Sequence, residues 1–173
     1  MNDVLNVIVS RRSVKSYKNK MVEKELIDKV IRAGMYAPSG KNLQSPIIIA
    51  ITNKQVRDKL SKTLMETRGI NIDPFYNAPV VIVVLANKNV STYLYDGSCV
   101  MENMLIQAHS LGLGACWIHH AKQVFETEYG KEFLKGLGID DNYEGIGHLI
   151  LGYGEVINKN QIPRKDNYVY YVE

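Results

Sequence analysis

Cysteine is scarce in this chain. Of 173 residues only Cys99 and Cys116 are cysteines, which excludes a disulfide framework and a four-thiolate zinc or iron–sulfur site within one chain. They stand too far apart for a redox dithiol motif, so each reads as an inert, buried thiol in a reducing cytoplasm. Long apolar runs are also missing. No stretch reaches the roughly 18 residues of a membrane span, and the opening Met1-Asn2-Asp3-Val4-Leu5-Asn6 lacks the basic-then-apolar order of a secretory leader. Net charge is only +3, from 21 basic and 18 acidic residues. The bases are mixed with acids along the chain, not gathered in the stripe that nucleic acid requires. Partners among nucleic acids or membranes are therefore not expected.

Familiar catalytic signatures are absent as well. There is no Gly-x-Ser-x-Gly elbow, no zinc-protease motif, no Gly-x-Gly-x-x-Gly after a strand, and no evident pair of catalytic carboxylates. His109 and His148 have no ligand spacing. His119 and His120 are adjacent, and neighbours in a strand point to opposite faces, so no metal is expected there. A chain without evident catalytic side chains leaves the chemistry to a cofactor.

What is present is alternation of helices with short apolar strands, without repeats or linkers, so one domain is expected. Asp3 is a candidate cap for a short helix with Val4, Leu5, Ile8 and Val9 on one face. A second helix carries Val22, Leu26, Ile27, Val30, Ile31 and Gly34, and Pro38 ends it. Ile47 to Ile51 and Val80 to Leu85 read as strands buried on both faces. A polar-faced helix is expected over 54–68. A third apolar stripe, Val100, Met101, Met104, Leu105, Ala108 and Leu111, is stopped by Gly112 and Gly114. Short strands are expected at 115–118 and 149–153. The last run, Tyr168-Val169-Tyr170-Tyr171-Val172, is strand-like and needs a sheet edge to pair with, in its own chain or a partner's.

Three segments hold candidate binding residues. Arg11, Arg12, Ser13 and Lys15 place three cations and a hydroxyl within five residues. Arginine's planar fork matches phosphate, although a solvated helix end is the commoner reason for such a cluster. The loop Ala37-Pro38-Ser39-Gly40-Lys41-Asn42-Leu43-Gln44-Ser45-Pro46 nearly mimics a triphosphate loop. Its spacing is one residue too long, Asn42 replaces the metal-binding hydroxyl, and it precedes its strand instead of following one. The amides of Asn42 and Gln44 can instead read the edge of a heterocycle. Gly112-Leu113-Gly114-Ala115-Cys116-Trp117 is a helix stop leading into a strand, where glycine also permits backbone to approach a flat ligand.

In this order, and over nearly the whole chain, these segments resemble the FMN-dependent nitroreductase family. The resemblance rests on Arg11 to Tyr17, Ala37 to Pro46, Asp96-Gly97 leading into Asn103 to Ala108, Leu111 to Ile118, Leu151-Gly152-Tyr153, and Arg164-Lys165. It implies an α+β fold with a central, mainly antiparallel sheet flanked by helices, and a homodimer with two FMN sites at its interface. It further implies an NAD(P)H-dependent flavin oxidoreductase that passes hydride from NADH or NADPH to a nitroaromatic, a quinone or a related acceptor. Carried over by position, Arg11 and Ser13 hold the phosphate, Arg12 lies beside them, and Lys15 reaches the pyrimidine end of the flavin. Arg164 and Lys165 complete the phosphate clamp. Pro38, Ser39, Gly40 and Asn42, with Gln44 in the same loop, come from the other subunit and cover the flavin. Ile118, His119 and His120 run past its central ring. Residues 155–173 form an arm whose last strand joins the partner's sheet. The chain departs from the family at His119-His120, where small residues are expected, and at Lys15, which replaces an arginine. It is also brief between Thr67 and Asn77. Two other readings keep the flavin: a specialised reductase or dehalogenase of one metabolite, and a protein that stores or delivers FMN with little turnover.

Overall fold

The structure is a computed structural model that describes residues 4–155 and 163–173. Four strands form one antiparallel sheet in the order β1-β2-β4-β3: β1 is Pro46–Ile51, β2 Val80–Asn87, β3 Gly114–Ile118 and β4 Tyr143–Gly152. Six α-helices cover it: α1 (Val4–Ser10), α2 (Lys24–Met35), α3 (Lys54–Arg68), α4 (Tyr93–Ser110), α5 (Ala121–Glu126) and α6 (Glu128–Gly136). The fold is α+β, as expected.

Strand β2 explains the layering. Its side chains alternate between two cores. Val81, Val83 and Leu85 enter one with Leu60, Leu64, Phe75, Val124 and Phe125. Val80, Ile82, Val84 and Ala86 enter the other with Val30, Met101, Met104 and Ala108. A period of two normally leaves one face of an antiparallel sheet to water. Here helices cover both faces, so the sequence reads as an unbroken apolar run. Each fully buried aliphatic side chain contributes roughly 1.5–3 kcal/mol.

The helices end where the local chemistry stops them. Asn53 accepts a hydrogen bond from Val56 N (3.1 Å) at the start of α3, and Gly69 at φ 63° ends it. Gly112, at φ 75°, follows α4. Met101 and Met104 are fully buried filler between α4 and the sheet.

One expectation needs correction. β1 is not buried on both faces. Among the described residues it is an edge strand, paired only with β2, and most of its residues are half-buried. Its β-branched run looks like that of β2 because composition does not report position in a sheet. The tail run Tyr168 to Val172, expected to pair with a sheet edge of its own chain or of a partner, joins no strand of its own chain among the described residues. A 3₁₀ turn spans Asp166–Tyr168, and Tyr168, Val169, Tyr170, Tyr171 and Val172 are all exposed. The short N-terminal helix exists, but its apolar face is turned out: Val4, Leu5, Ile8 and Val9 are exposed and only Val7 is buried. Asp3, expected to cap it, lies outside the described residues, as does part of the expected 155–173 arm.

Candidate active site

The basic segment is stitched to the outer edge of the sheet. Ser13 bridges Ala115 in parallel, Val14 N donates to Ala115 O (3.1 Å), and Lys18 N donates to Tyr153 O (2.8 Å). Glu155 N donates back to Ser16 O (3.0 Å). Val14 and Tyr17 are buried, and the Tyr17 hydroxyl donates to Val14 O (2.6 Å). Alternation then turns Ser13 and Lys15 outward, and both are exposed. The segment behaves as an irregular fifth strand beside β3.

The electrostatics here favour an anion. Arg11 Nε is buried and has no hydrogen-bond acceptor among the described residues. Its nearest carboxylate oxygen, on Glu102, is 3.7 Å away. Arg12 turns back on the end of α1, donating to Val9 O (2.8 Å) and Arg11 O (2.7 Å). His109, paired with the Ser10 hydroxyl at 2.9 Å, is held below the usual histidine range by burial and then by the charges of Arg11 and Arg12. A second positive point lies further along: Lys15 Nζ stands 5.5 Å from the centre of the Tyr76 ring.

Strand β3 leads from this edge into Ile118, His119 and His120. The chain turns sharply there, with His120 at φ 71°. The expectation that the two histidines point to opposite faces is therefore wrong: they follow the strand instead of lying in it, and their rings meet edge to face at 4.9 Å. His120 is held below its ordinary range by burial, then by His119 and by Arg68 at the end of α3. Among the described residues no group of three metal-ligating side chains is assembled.

The second loop lies elsewhere. Gly40–Asn42 forms a 3₁₀ turn that leads into β1. Gln44 N donates to Ser39 Oγ (3.0 Å) and Gln44 Nε2 to Asn42 Oδ1 (3.2 Å). Because β1 and β3 are the two outer strands, one chain holds Pro38, Ser39, Gly40, Asn42 and Gln44 at one edge of the sheet and Arg11, Ser13, Lys15 and His119 at the other. Three strand spacings of about 4.8 Å separate those edges. Arg164 and Lys165 are exposed, with Lys165 Nζ 5.5 Å from the Tyr168 ring centre. No hydrogen bond or ion pair joins them to Arg11 or Ser13 among the described residues.

Comparison with known proteins gives this arrangement its context. The model of the nitroreductase family matches residues 8–71 and 66–153. The chain belongs to the nitroreductase family. It is 32% identical over 159 residues to a protein of Archaeoglobus fulgidus that carries the provisional name NADH dehydrogenase/NAD(P)H nitroreductase, covering 88% of this chain and 86% of that one. Among solved structures, a nitroreductase with bound FMN from Bacteroides fragilis superimposes with a TM-score of 0.89 at 27% identity, over the full length of both chains. A second, from Desulfitobacterium hafniense and also with bound FMN, gives 0.87 at 28%, again over both full lengths.

In this nitroreductase the donor set fits FMN at the phosphate end. Arg11 offers a buried N–H without an acceptor among the described residues, and Ser13 presents an exposed hydroxyl two positions on. Sequence reasoning gave no site role to four residues near these segments: Tyr76, Arg68, Glu102 and Asp96, the last quoted only within the Asp96-Gly97 of the resemblance. The first three act by contact or charge across distant segments, which spacing does not reveal. Asp96 left a local signal, a lone carboxylate on the otherwise apolar stripe of α4.

Proposed function

We propose that this nitroreductase passes hydride from NADH or NADPH through bound FMN to a nitroaromatic, a quinone or a similar acceptor, as a homodimer with flavin at the interface. The protein is an NAD(P)H-dependent flavin oxidoreductase, and FMN is its cofactor. The observation that carries the reading is the buried Nε of Arg11, which has no acceptor among the described residues and stands two positions before the exposed Ser13.

Arg11 and Ser13 hold the phosphate, with Arg12 alongside and Arg164 and Lys165 completing the clamp. Charge-assisted hydrogen bonds of this kind are about twice as strong as neutral ones. Lys15 reaches the pyrimidine end, placing positive charge where negative charge gathers on reduction. Ile118, His119 and His120 line the side of the central ring. When bound, FMN would supply the two-electron chemistry that links nicotinamide to the acceptor.

The dimer is supported by the two-edge arrangement. The 38–44 loop covers a flavin only if a second copy brings it to the Arg11 edge. Exposed apolar surface on α1, at Met35, Tyr36 and Leu43, and over Leu94 and Tyr95 supports the same reading. No helix among the described residues is long and apolar enough to cross a membrane. Cys99 and Cys116 are free, which suits a reducing cytoplasm; Cys116 is buried, but Cys99, expected to be buried too, is only half-buried, since it lies just off the buried stripe of α4.

Anaerobic titration tests the function. Purified protein is expected to be yellow, to bleach on addition of NADH or NADPH, and to regain colour with a quinone or nitro compound. Protein that gains no flavin absorbance with added FMN refutes the reading. Yellow protein that neither nucleotide bleaches supports storage of the cofactor instead.

A further inference from the structure

Asp96 is a carboxylate in the first turn of α4, and it is 4% exposed. No cation pairs with it among the described residues. Three donors satisfy it instead: Gly40 N reaches Oδ1 at 2.9 Å, and the hydroxyls of Ser45 and Thr92 reach Oδ2 at 3.0 Å each. A carboxylate taken out of water requires such donors, and the positive end of α4 adds to them. Two of the three come from the Ser39–Ser45 loop, one from near each end.

The backbone between those ends is strained. Lys41, Asn42 and Gln44 lie at φ 51°, 54° and 48°. Side chains other than glycine avoid this region, and three within four positions persist only when their surroundings impose them. Gly40 is pressed against Thr92 so closely that no Cβ fits. The loop is therefore tied at Gly40 and at Ser45 to one buried group 50 or more residues away in sequence.

We propose that Asp96 is a positioning residue that holds Lys41, Asn42 and Gln44 in their left-handed conformations and thereby sets how Asn42 and Gln44 meet the flavin. This rests on the reading above, in which the loop covers FMN. Asp96 itself does not touch the cofactor. It acts through the loop.

The test compares Asp96→Ala with Asp96→Asn in the full-length protein. Asparagine keeps Oδ1 for Gly40 N, and its Nδ2 donates to hydroxyls that rotate to accept. Amide hydrogen exchange over Gly40–Ser45 reads the loop, and the visible circular dichroism and dissociation constant of FMN read the site. Asp96→Ala is expected to lose protection at Gly40 while β2 keeps its own, to alter the dichroism of bound flavin, and to weaken FMN by at least about tenfold, the usual scale for hydrogen bonds to a charged group. Asp96→Asn is expected to restore both readouts to within about threefold. Gly40 protected in the alanine variant as in the wild type overturns the proposal. So does a loss spread evenly over β2 and the loop with unchanged dichroism. If Asp96→Ala fails to fold, Ser45→Ala and Thr92→Val, which remove one bond each, are read the same way. Wild-type protein that takes up no FMN refutes the functional reading, while exchange at Gly40 still decides whether Asp96 holds the loop.

Discussion

A Cβ on Gly114 would stand 2.8 Å from Val14 Cγ1 and 2.9 Å from Val14 Cβ. Gly114 is thus where the basic segment sits down on β3. Its φ is not positive, so the requirement is for space and not for backbone freedom. Val14 is β-branched and its own Cβ is in the contact, so rotating the side chain does not relieve it. Gly114→Ala is expected to push Arg11 to Tyr17 off the sheet edge, at a cost of about 1–3 kcal/mol, and to weaken FMN binding about tenfold or more. Adding Val14→Ala should recover part of both losses. Calorimetry and flavin titration of the single and double variants check this, and a double variant no better than Gly114→Ala would count against it.

How much of this was legible in the residues depends on what each inference needed. The apolar run of β2 and the stripe of α4 announced a core, because burial on both faces leaves few polar positions, whereas only the end of β4 was legible: the strand begins at Tyr143, and Glu144, Gly145, Gly147 and the buried His148 break its apolar pattern before Leu149. The same logic misplaced β1. Its isoleucines are β-branched and continuous too, but only the sheet order shows that it has one neighbour. The grip proposed at Arg11 rests on the order of several weak segments, not on its own charges. His119 and His120 were misread because a single left-handed residue, invisible in the sequence, ends the strand's alternation. That the two halves of the site lie at opposite sheet edges follows from strand order, which no local pattern encodes.

The second prediction concerns Arg11. Among the described residues its guanidinium is held by nothing stronger than Glu102 at 3.7 Å, so removing it leaves little in the fold unsatisfied. Arg11→Ala is expected to change stability by less than about 0.5 kcal/mol. It should weaken FMN by about 10- to 100-fold, since a hydrogen bond to a charged group is worth about 1.5–3 kcal/mol. The variant's affinity should also depend less steeply on salt. Thermal unfolding of the apoprotein and fluorescence titration with FMN separate the two effects. An unchanged dissociation constant would remove Arg11 from the clamp.

The third prediction concerns His148, which pairs with Val83 and Ile118 across the sheet and is fully buried. Its ring lies 5.3 Å from that of Phe75 and 6.1 Å from that of Phe125. Burial lowers its pKa to about 4, and the nearby His119 and His120 push the same way. The backbone of Ile118 and His119 favours the charged form, but neither is aligned well enough to hydrogen-bond the ring. The unfolded chain takes up this proton near pH 6.5 and the folded chain only near pH 4. Stability contributed by the neutral ring is therefore complete above pH 6.5 and declines as pH falls toward 4, by up to about 1.4 kcal/mol per unit. A buried, isosteric His148→Leu should flatten that part of the profile. Equal acid sensitivity in the variant and the wild type would mean that other groups set the decline.

The last prediction concerns the C-terminal arm. Tyr170, Tyr171 and Val172 are 78%, 88% and 97% exposed, an unusual outcome for apolar residues that no element of their own chain covers. Among the described residues the outer edge of β1 meanwhile has no strand beside it, and two open grooves of about 430 and 530 Å³ run between β1 and α2, lined by Ile31, Ile47, Ile48 and Ala50 among others. An unpaired edge flanked by apolar grooves is a template for an added strand. A partner's Tyr168 to Val172 meets both needs, whereas the chain's own tail forms no strand there. Ending the chain after Glu155 leaves the Glu155 N to Ser16 O bond in place, so the grip on the sheet edge survives and only the arm is lost. The shortened protein is expected to dissociate at concentrations where the full chain is dimeric, and to release FMN as it does so, because Arg164 and Lys165 leave with the arm. Light scattering combined with flavin absorbance reads both at once. A shortened chain that remains dimeric and yellow would show that neither the interface nor the phosphate clamp depends on the arm.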